Sequence, residues 1–143
     1  TTYDLLPKQL RNAVWPVGRL DFHTEGLLIL TNDGELTQTL THPSKEHERE
    51  YEAMLDKELT EGKIEKLRTG MFLDGKKTAP AKVRAEGVKV YLTIHEGWNR
   101  QVRRMLTALG YTVRNLKRVR IGKLTLNGLE LGQYKIINKE DII

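Results

Sequence analysis

The chain contains no cysteine, which excludes disulfides and thiolate chemistry. It has no apolar run near the roughly 20 residues that a membrane-spanning helix needs, and Leu27-Leu28-Ile29-Leu30 is far too short for one. Its histidines, His23, His42, His47 and His95, are scattered without metal-ligand spacing, so no metal site is expected. Low-complexity tracts, linkers and internal repeats are lacking. Acidic residues are missing from Gly97 to Lys123, a stretch that carries Arg100, Arg103, Arg104, Arg114, Lys117, Arg118, Arg120 and Lys123. Such one-sign clustering sets up a local field that attracts polyanions, of which nucleic acid is the commonest large one. A solvated basic face with no partner is the alternative, and charge alone does not decide between them.

What is present fits one globular domain. The 143 residues are 38% hydrophobic and 30% charged, with a formal charge of +5 and a pI near 9.5. Leu27 to Thr31 reads as a buried strand, bounded by Gly26 and by Asn32-Asp33-Gly34. Asn32 or Asp33 caps a short helix to about Leu40, which Pro43 stops. Tyr51, Ala53 and Leu55 alternate with Glu50 and Glu52, as a half-buried strand should. Thr60 caps a helix to about Thr69, with Ile64 and Leu67 on one side and Gly70 as terminator. Met71 to Leu73 and Ala81 to Ala85 read as short strands around the Asp74-Gly75 loop. Val88, Val90, Leu92 and Ile94 form the clearest strand. Asn99 caps a helix ending at Gly110, and strands follow near Thr112 to Arg120, Lys123 to Leu126 and Tyr134 to Ile137. Mixed without strict alternation, these elements predict an α+β fold with a mixed, largely antiparallel sheet and helices packed on it.

Gly70 to Lys76, GMFLDGK, matches most of a phosphate-cradling loop. Lys77 stands where Ser or Thr should follow, and no helix comes after, so it reads as a turn between strands. The helix near Asn99 to Leu109 is more informative. At about 100° per residue, Val102, Met105, Leu106 and Leu109 form one apolar stripe, and Arg100 and Arg104 point nearly opposite. Arg103 falls at the stripe's edge. A guanidinium partly desolvated there wants an anionic partner; equally, its stem can simply cover apolar surface while the charge stays wet. Asp21, near the entrance to the first predicted strand, is a candidate partner, although loop aspartates ordinarily serve as caps and turns.

The strings GRLDFHTEGLLILTNDGEL, from Gly18 to Leu36, and EGWNRQVRRML, from Glu96 to Leu106, strongly resemble the pseudouridine synthase family typified by the ribosomal small-subunit enzyme. THP at Thr41 to Pro43, REYEAML, and LKRVRIGKLTL from Leu116 to Leu126 fit the same pattern. The resemblance implies an isomerase that breaks the N1–C1′ bond of a uridine in RNA and rejoins the base through C5. It implies one catalytic aspartate, Asp21, and neither cofactor nor metal. It makes Tyr51 the residue that stacks on the target base and Arg103 the basic partner of Asp21. A carboxylate can attack the sugar or take a proton from it, and a neighbouring guanidinium keeps it ionised and oriented. Flipping the base out costs a few kcal/mol, which stacking worth roughly 1–3 kcal/mol partly offsets. Arg19 and Arg100 are then expected to contact phosphates, with Arg104, Arg118 and Arg120 widening the RNA footprint.

Three positions depart from the family pattern: Trp98 replaces a basic residue and adds a stacking surface, Phe22-His23 replaces a pair that commonly includes an acid, and Arg49 stands where lysine is usual. The family's upstream Asn-Lys-Pro strand segment is absent. Residues 1–143 are therefore expected to be a single catalytic domain lacking upstream N-terminal segments, acting as a cytoplasmic monomer on ribosomal RNA. Two other classes remain. A non-catalytic module holding ribosomal RNA would not require Asp21, Tyr51 and Arg103 together. A glycoside hydrolase normally wants two catalytic carboxyls, and nothing in the motif gives Glu25 that role.

Overall fold

In the computed structural model, which describes residues 2–42, 47–98 and 100–143, the alternating segments gather into one sheet. Its order is β10 (Leu124–Thr125), β9 (Val113–Ile121), β4 (Arg49–Leu55), β8 (Lys89–Ile94) and β7 (Lys82–Glu86), all antiparallel. A short strand, β2 (Glu25–Gly26), runs parallel to β9, and a one-turn helix, α1 (Lys8–Arg11), precedes the strands. The fold is thus α+β with a mixed, mostly antiparallel sheet, as the patterning predicts.

Alternation explains the main core. Ala53, Leu55, Val90, Leu92 and Leu116 share one face of the sheet and are almost fully buried. Two helices cover that face. α3 (Glu61–Thr69) contributes Ile64 and Leu67, starts where the Thr60 side chain accepts from Lys63 N–H, and ends at Gly70 with φ 101°. α4 (Gln101–Ala108) contributes Val102, Met105 and Leu106, the predicted stripe, and Leu109 follows it into the core. Between them, β5 (Phe72–Leu73) and β6 (Lys76–Lys77) form a hairpin whose Asp74-Gly75 turn has positive φ at both residues, as a tight two-residue hairpin prefers. The GMFLDGK stretch is this turn.

A second, smaller core lies beneath the segment that carries Asp21. It joins Val17, Leu27, Ile29, Leu36, Leu40, Ile121 and Ile142. Leu36 and Leu40 come from α2 (Gly34–Thr41), whose N-terminus is capped by the Asp33 carboxylate accepting from Glu35 and Leu36 N–H at 3.0 and 3.1 Å. Replacing Asp33 with alanine leaves both donors unsatisfied. The expected cost is about 1 kcal/mol, read as a fall of a few degrees in melting temperature.

Three expectations are corrected. Leu27 to Thr31 is not one strand: β2 pairs with β9, and β3 (Leu30–Thr31) pairs instead with β1 (Trp15–Pro16). The chain changes partner between them, with Leu27 N–H still bonded to Arg118 O and Ile29 O already accepting from Val17 N–H. Leu27 and Ile29 are buried all the same, so the apolar run reports burial rather than a ladder. No strand forms at 134–137, where Ile136 is 82% exposed and has no sheet face to occupy. α4 begins at Gln101 rather than near Asn99; Arg100 precedes it in the left-handed region, at φ 50°, with no side-chain cap bond. Asn99 and Pro43 lie outside the described residues.

Candidate active site

The loop from β1 to β2 carries Asp21. Its carbonyl accepts from Thr24 N–H at 2.9 Å, closing a tight turn through Phe22 and His23. His23 sits at φ 69°, a conformation costly for a residue with a Cβ and often held in place by surrounding structure at working sites. The clamp here is visible. Arg100 Nη1 donates to Phe22 O at 3.2 Å, and Arg103 Nη2 donates to His23 O at 3.1 Å. Two arginines of the α4 segment therefore hold the turn that presents Asp21.

Asp21 lines a cavity of about 400 Å³, within the range that small-ligand sites occupy. Tyr51, from the middle of β4, lines it too, half-buried against the main core. So do Arg19, Arg100, Arg103 and Arg118, which means that the structure brings together six of the eight residues singled out by sequence. Arg104 and Arg120 do not line it. The Arg104 guanidinium pairs with Asp74 on the β5–β6 turn, and Arg120 reaches Glu48 and Glu50 at 3.4 and 3.5 Å.

Arg118 and Arg120 part company for a local reason. Tyr51 is registered with Arg118 but Glu50 with Arg120, so Val119 is an extra residue on β9. This bulge breaks the two-residue alternation. Arg118 stays on the Tyr51 face, and Arg120 turns to the Glu50 face.

Sequence reasoning missed two structural members of the site and underrated a third. Gln101 is 97% buried by exposure of 3%, and its Nε2 donates to Glu96 Oε1 at 2.8 Å while its Oε1 accepts from Trp98 N–H. Glu96 also accepts from Ala79 N–H, so it staples the loop before α4 to its neighbour. The available signal was a glutamine beside Val102, next to the apolar stripe. Thr24 is the second: its hydroxyl is buried in the cavity wall. Arg49 had been noted only as a departure from pattern. It lines the cavity and donates to Leu40 O at 2.9 Å. At Trp98 the missing basic residue is partly replaced, since Lys76 Nζ lies 5.1 Å from the indole ring centroid.

Five arginines thus face Asp21 and Glu96 across one cavity. Burial lowers the Arg103 guanidinium below the usual arginine range; Arg100 adds to this and the Asp21 charge opposes it. Burial also lowers Arg49, with Tyr51 opposing and Arg118 adding. Arginine starts so high that both remain cationic at neutral pH. Three buried polar atoms of cavity-lining residues have no hydrogen-bond partner: Thr24 Oγ1, Arg103 Nε and Arg118 Nη2. Folded proteins rarely leave such groups unsatisfied, and their concentration at one cavity points to a ligand rich in acceptors. Among the described residues no group of three or more His, Asp or Glu side chains could hold a metal ion, and no helix is long and apolar enough to cross a membrane.

A family model described as RNA pseudouridylate synthase matches residues 1–108. The chain is 39% identical over 142 residues to the ribosomal large subunit pseudouridine synthase B of Bacillus subtilis, covering 94% of this chain and 58% of that protein. It is 37% identical over 131 residues to the dual-specificity RNA pseudouridine synthase RluF of Escherichia coli K12, covering 91% of this chain and 45% of that one. A solved pseudouridylate synthase structure superposes with a TM-score of 0.93 at 35% identity, over 99% of this chain and 64% of that one. The chain therefore spans about half to two thirds of the length of these proteins.

Proposed function

The chain belongs to the RNA pseudouridylate synthase family, and we propose that it is a catalytic domain that isomerises uridine in ribosomal RNA to pseudouridine, with Asp21 as the nucleophile. The observation that carries this reading is the presentation of Asp21. A single carboxylate sits on a turn clamped by Arg100 and Arg103, in a cavity that also holds the Tyr51 ring. Ribosomal RNA is favoured by the name of the Bacillus relative, a ribosomal large subunit pseudouridine synthase, and by the arginine excess in and around the cavity.

The proposed reaction begins with the target nucleotide out of its stack and its uracil on Tyr51. Asp21 attacks C1′, or removes a sugar proton, as the N1–C1′ pair of electrons leaves with the base. The detached uracil turns in the cavity, and C5 bonds to C1′ as the Asp21–C1′ bond breaks or, on the other route, as Asp21 returns the sugar proton; the C5 proton is then lost and N1 gains a proton. Uridine and pseudouridine are isomers, so nothing is consumed. Arg103 orients the carboxylate through the His23 carbonyl and supplies a nearby positive charge. Exposed Arg19 and half-buried Arg100 lie where phosphates, which stay hydrated, can reach them. The protein is proposed to act as a cytoplasmic monomer.

The test is tritium release from ribosomal RNA transcripts carrying uridine labelled at C5. Stoichiometric release, with pseudouridine in a nuclease digest, is the expected result. RNA that is bound but never converted would sink the enzymatic reading and leave a binding module. Phosphate contacts are tested separately. Arg100→Ala should weaken RNA binding and reduce the slope of log affinity against log salt by about 1. Arg84→Ala is the comparison, since Arg84 stands on the other side of the sheet, over the Tyr91 ring and paired with Glu86. Its salt slope should match the parent.

A further inference from the structure

Arg118 carries a buried charge with donor capacity that the fold does not use. The residue is only 6% exposed, its Nε donates to Leu27 O at 2.9 Å, and its Nη2 is buried without a partner. Among the described residues, no carboxylate lies within 4 Å of its guanidinium nitrogens, and Arg49 beside it has the same sign. A desolvated cation with no anionic partner and a buried N–H left unsatisfied is strongly unfavourable. Its position is nevertheless enforced, because β2 and β4 flank Arg118 on either side and the Val119 bulge keeps it on the cavity face.

Its depth identifies the partner. In the antiparallel register Arg118 stands directly opposite Tyr51, and such cross-strand pairs lie about 5 Å apart on one face. If Tyr51 carries the uracil ring, Arg118 lies at the ring's level, whereas Arg19 and Arg100 lie nearer solvent, where a hydrated phosphate stays. From this placement, and resting on the function proposed above, we infer that Arg118 donates to a carbonyl oxygen of the target uracil and stabilises the uracil anion formed when the N1–C1′ bond breaks.

The chemistry follows from where the electrons go. The N1–C1′ pair departs with the base, giving an anion whose charge spreads from N1 onto the ring carbonyl oxygens. Neutral uridine presents the same oxygens with much less charge. A guanidinium fixed beside them therefore binds the transition state more strongly than the ground state, which accelerates bond cleavage rather than merely tightening binding. It also helps to retain the detached base while it turns. The proton later taken up at N1 discharges the anion, so Arg118 itself neither gains nor loses one.

The experiment uses the full chain and ribosomal RNA transcripts made with uridine or with 5-fluorouridine, whose base leaves as a more stable anion. Single-turnover loss of the parent nucleoside is followed in nuclease digests, for the parent protein, Arg118→Gln and Arg118→Lys, with RNA affinity measured alongside. Arg118→Gln should slow the uridine reaction by about 10²-fold with RNA affinity little changed, and Arg118→Lys should recover part of the loss. With 5-fluorouridine the Gln deficit should shrink to about tenfold or less. Equal deficits on both RNAs, or a loss confined to RNA affinity, would overturn the assignment. Should Arg118→Gln fail to fold by circular dichroism, the Lys variant carries the same comparison. A parent protein inert on both RNAs would overturn the function and the assignment together, whereas an active parent with equal deficits overturns the assignment alone.

Discussion

Asp21→Asn is expected to abolish tritium release, by at least about 10⁴-fold, with RNA affinity within about threefold of the parent. The substitution changes one atom and almost no volume. The turn that presents residue 21 is held by main-chain groups: the Asp21 carbonyl accepting from Thr24 N–H, and the Phe22 and His23 carbonyls accepting from Arg100 and Arg103. None of these bonds uses the carboxylate, so the loop should keep its shape. An amide can neither add to C1′ as a nucleophile nor take a sugar proton, and among the described residues no second cavity carboxylate is free to substitute. Glu96 lines the same cavity but is occupied by Ala79 N–H and Gln101 Nε2. The Asn variant also removes the charge that favours the ionised form of Arg103. That loss should lower stability slightly, which a melting curve separates from catalysis. Equal release from parent and variant would take Asp21 out of the mechanism.

The contrast between what was and was not readable in the sequence has a physical pattern. Features set by neighbours within a turn or two were legible: the Asp33 and Thr60 caps, Gly70 as terminator, and the stripe of Val102, Met105, Leu106 and Leu109. Each depends on local hydrogen bonds or on one helical period. Features set by a distant strand were not. The run Leu27 to Thr31 is buried like a strand, yet its ladder is divided between β9 and β1, and nothing local announces the change of partner. The Val119 bulge is similar: Arg118 and Arg120 look equivalent at a two-residue spacing, but one extra residue in β9 sends them to opposite faces. At the site, motif resemblance named Asp21, Tyr51 and Arg103, while helical periodicity left the role of Arg103 open. The structure adds that Arg103 acts on the turn's His23 carbonyl, a contact across 80 residues that no spacing rule reaches.

Gly26→Ala should be strongly damaging to both fold and site. Gly26 sits at φ 116°, and a Cβ there would lie 2.3 Å from Arg118 O and 2.5 Å from Arg118 N. Both are main-chain atoms of a central strand, so neither can swing aside as a side-chain tip would. The strand β2 must separate from β9, which strains the Leu27–Arg118 bonds and moves the loop bearing Asp21. Backbone strain alone costs about 1–3 kcal/mol, and the clash adds to it. A total near 3 kcal/mol or more corresponds to a fall of roughly 10 °C in melting temperature for a domain of this size. Activity of the molecules still folded should fall as well, because Asp21 and Arg118 are positioned by the same contact. Gly18→Ala provides the comparison. Gly18 also has positive φ, at 69°, but a Cβ there meets nothing within 4 Å. Only the conformational cost remains, about 1 kcal/mol, and most activity should survive. Equal losses from the two variants would mean that left-handed backbone strain, rather than the close approach of β2 to β9, sets the sensitivity of this loop.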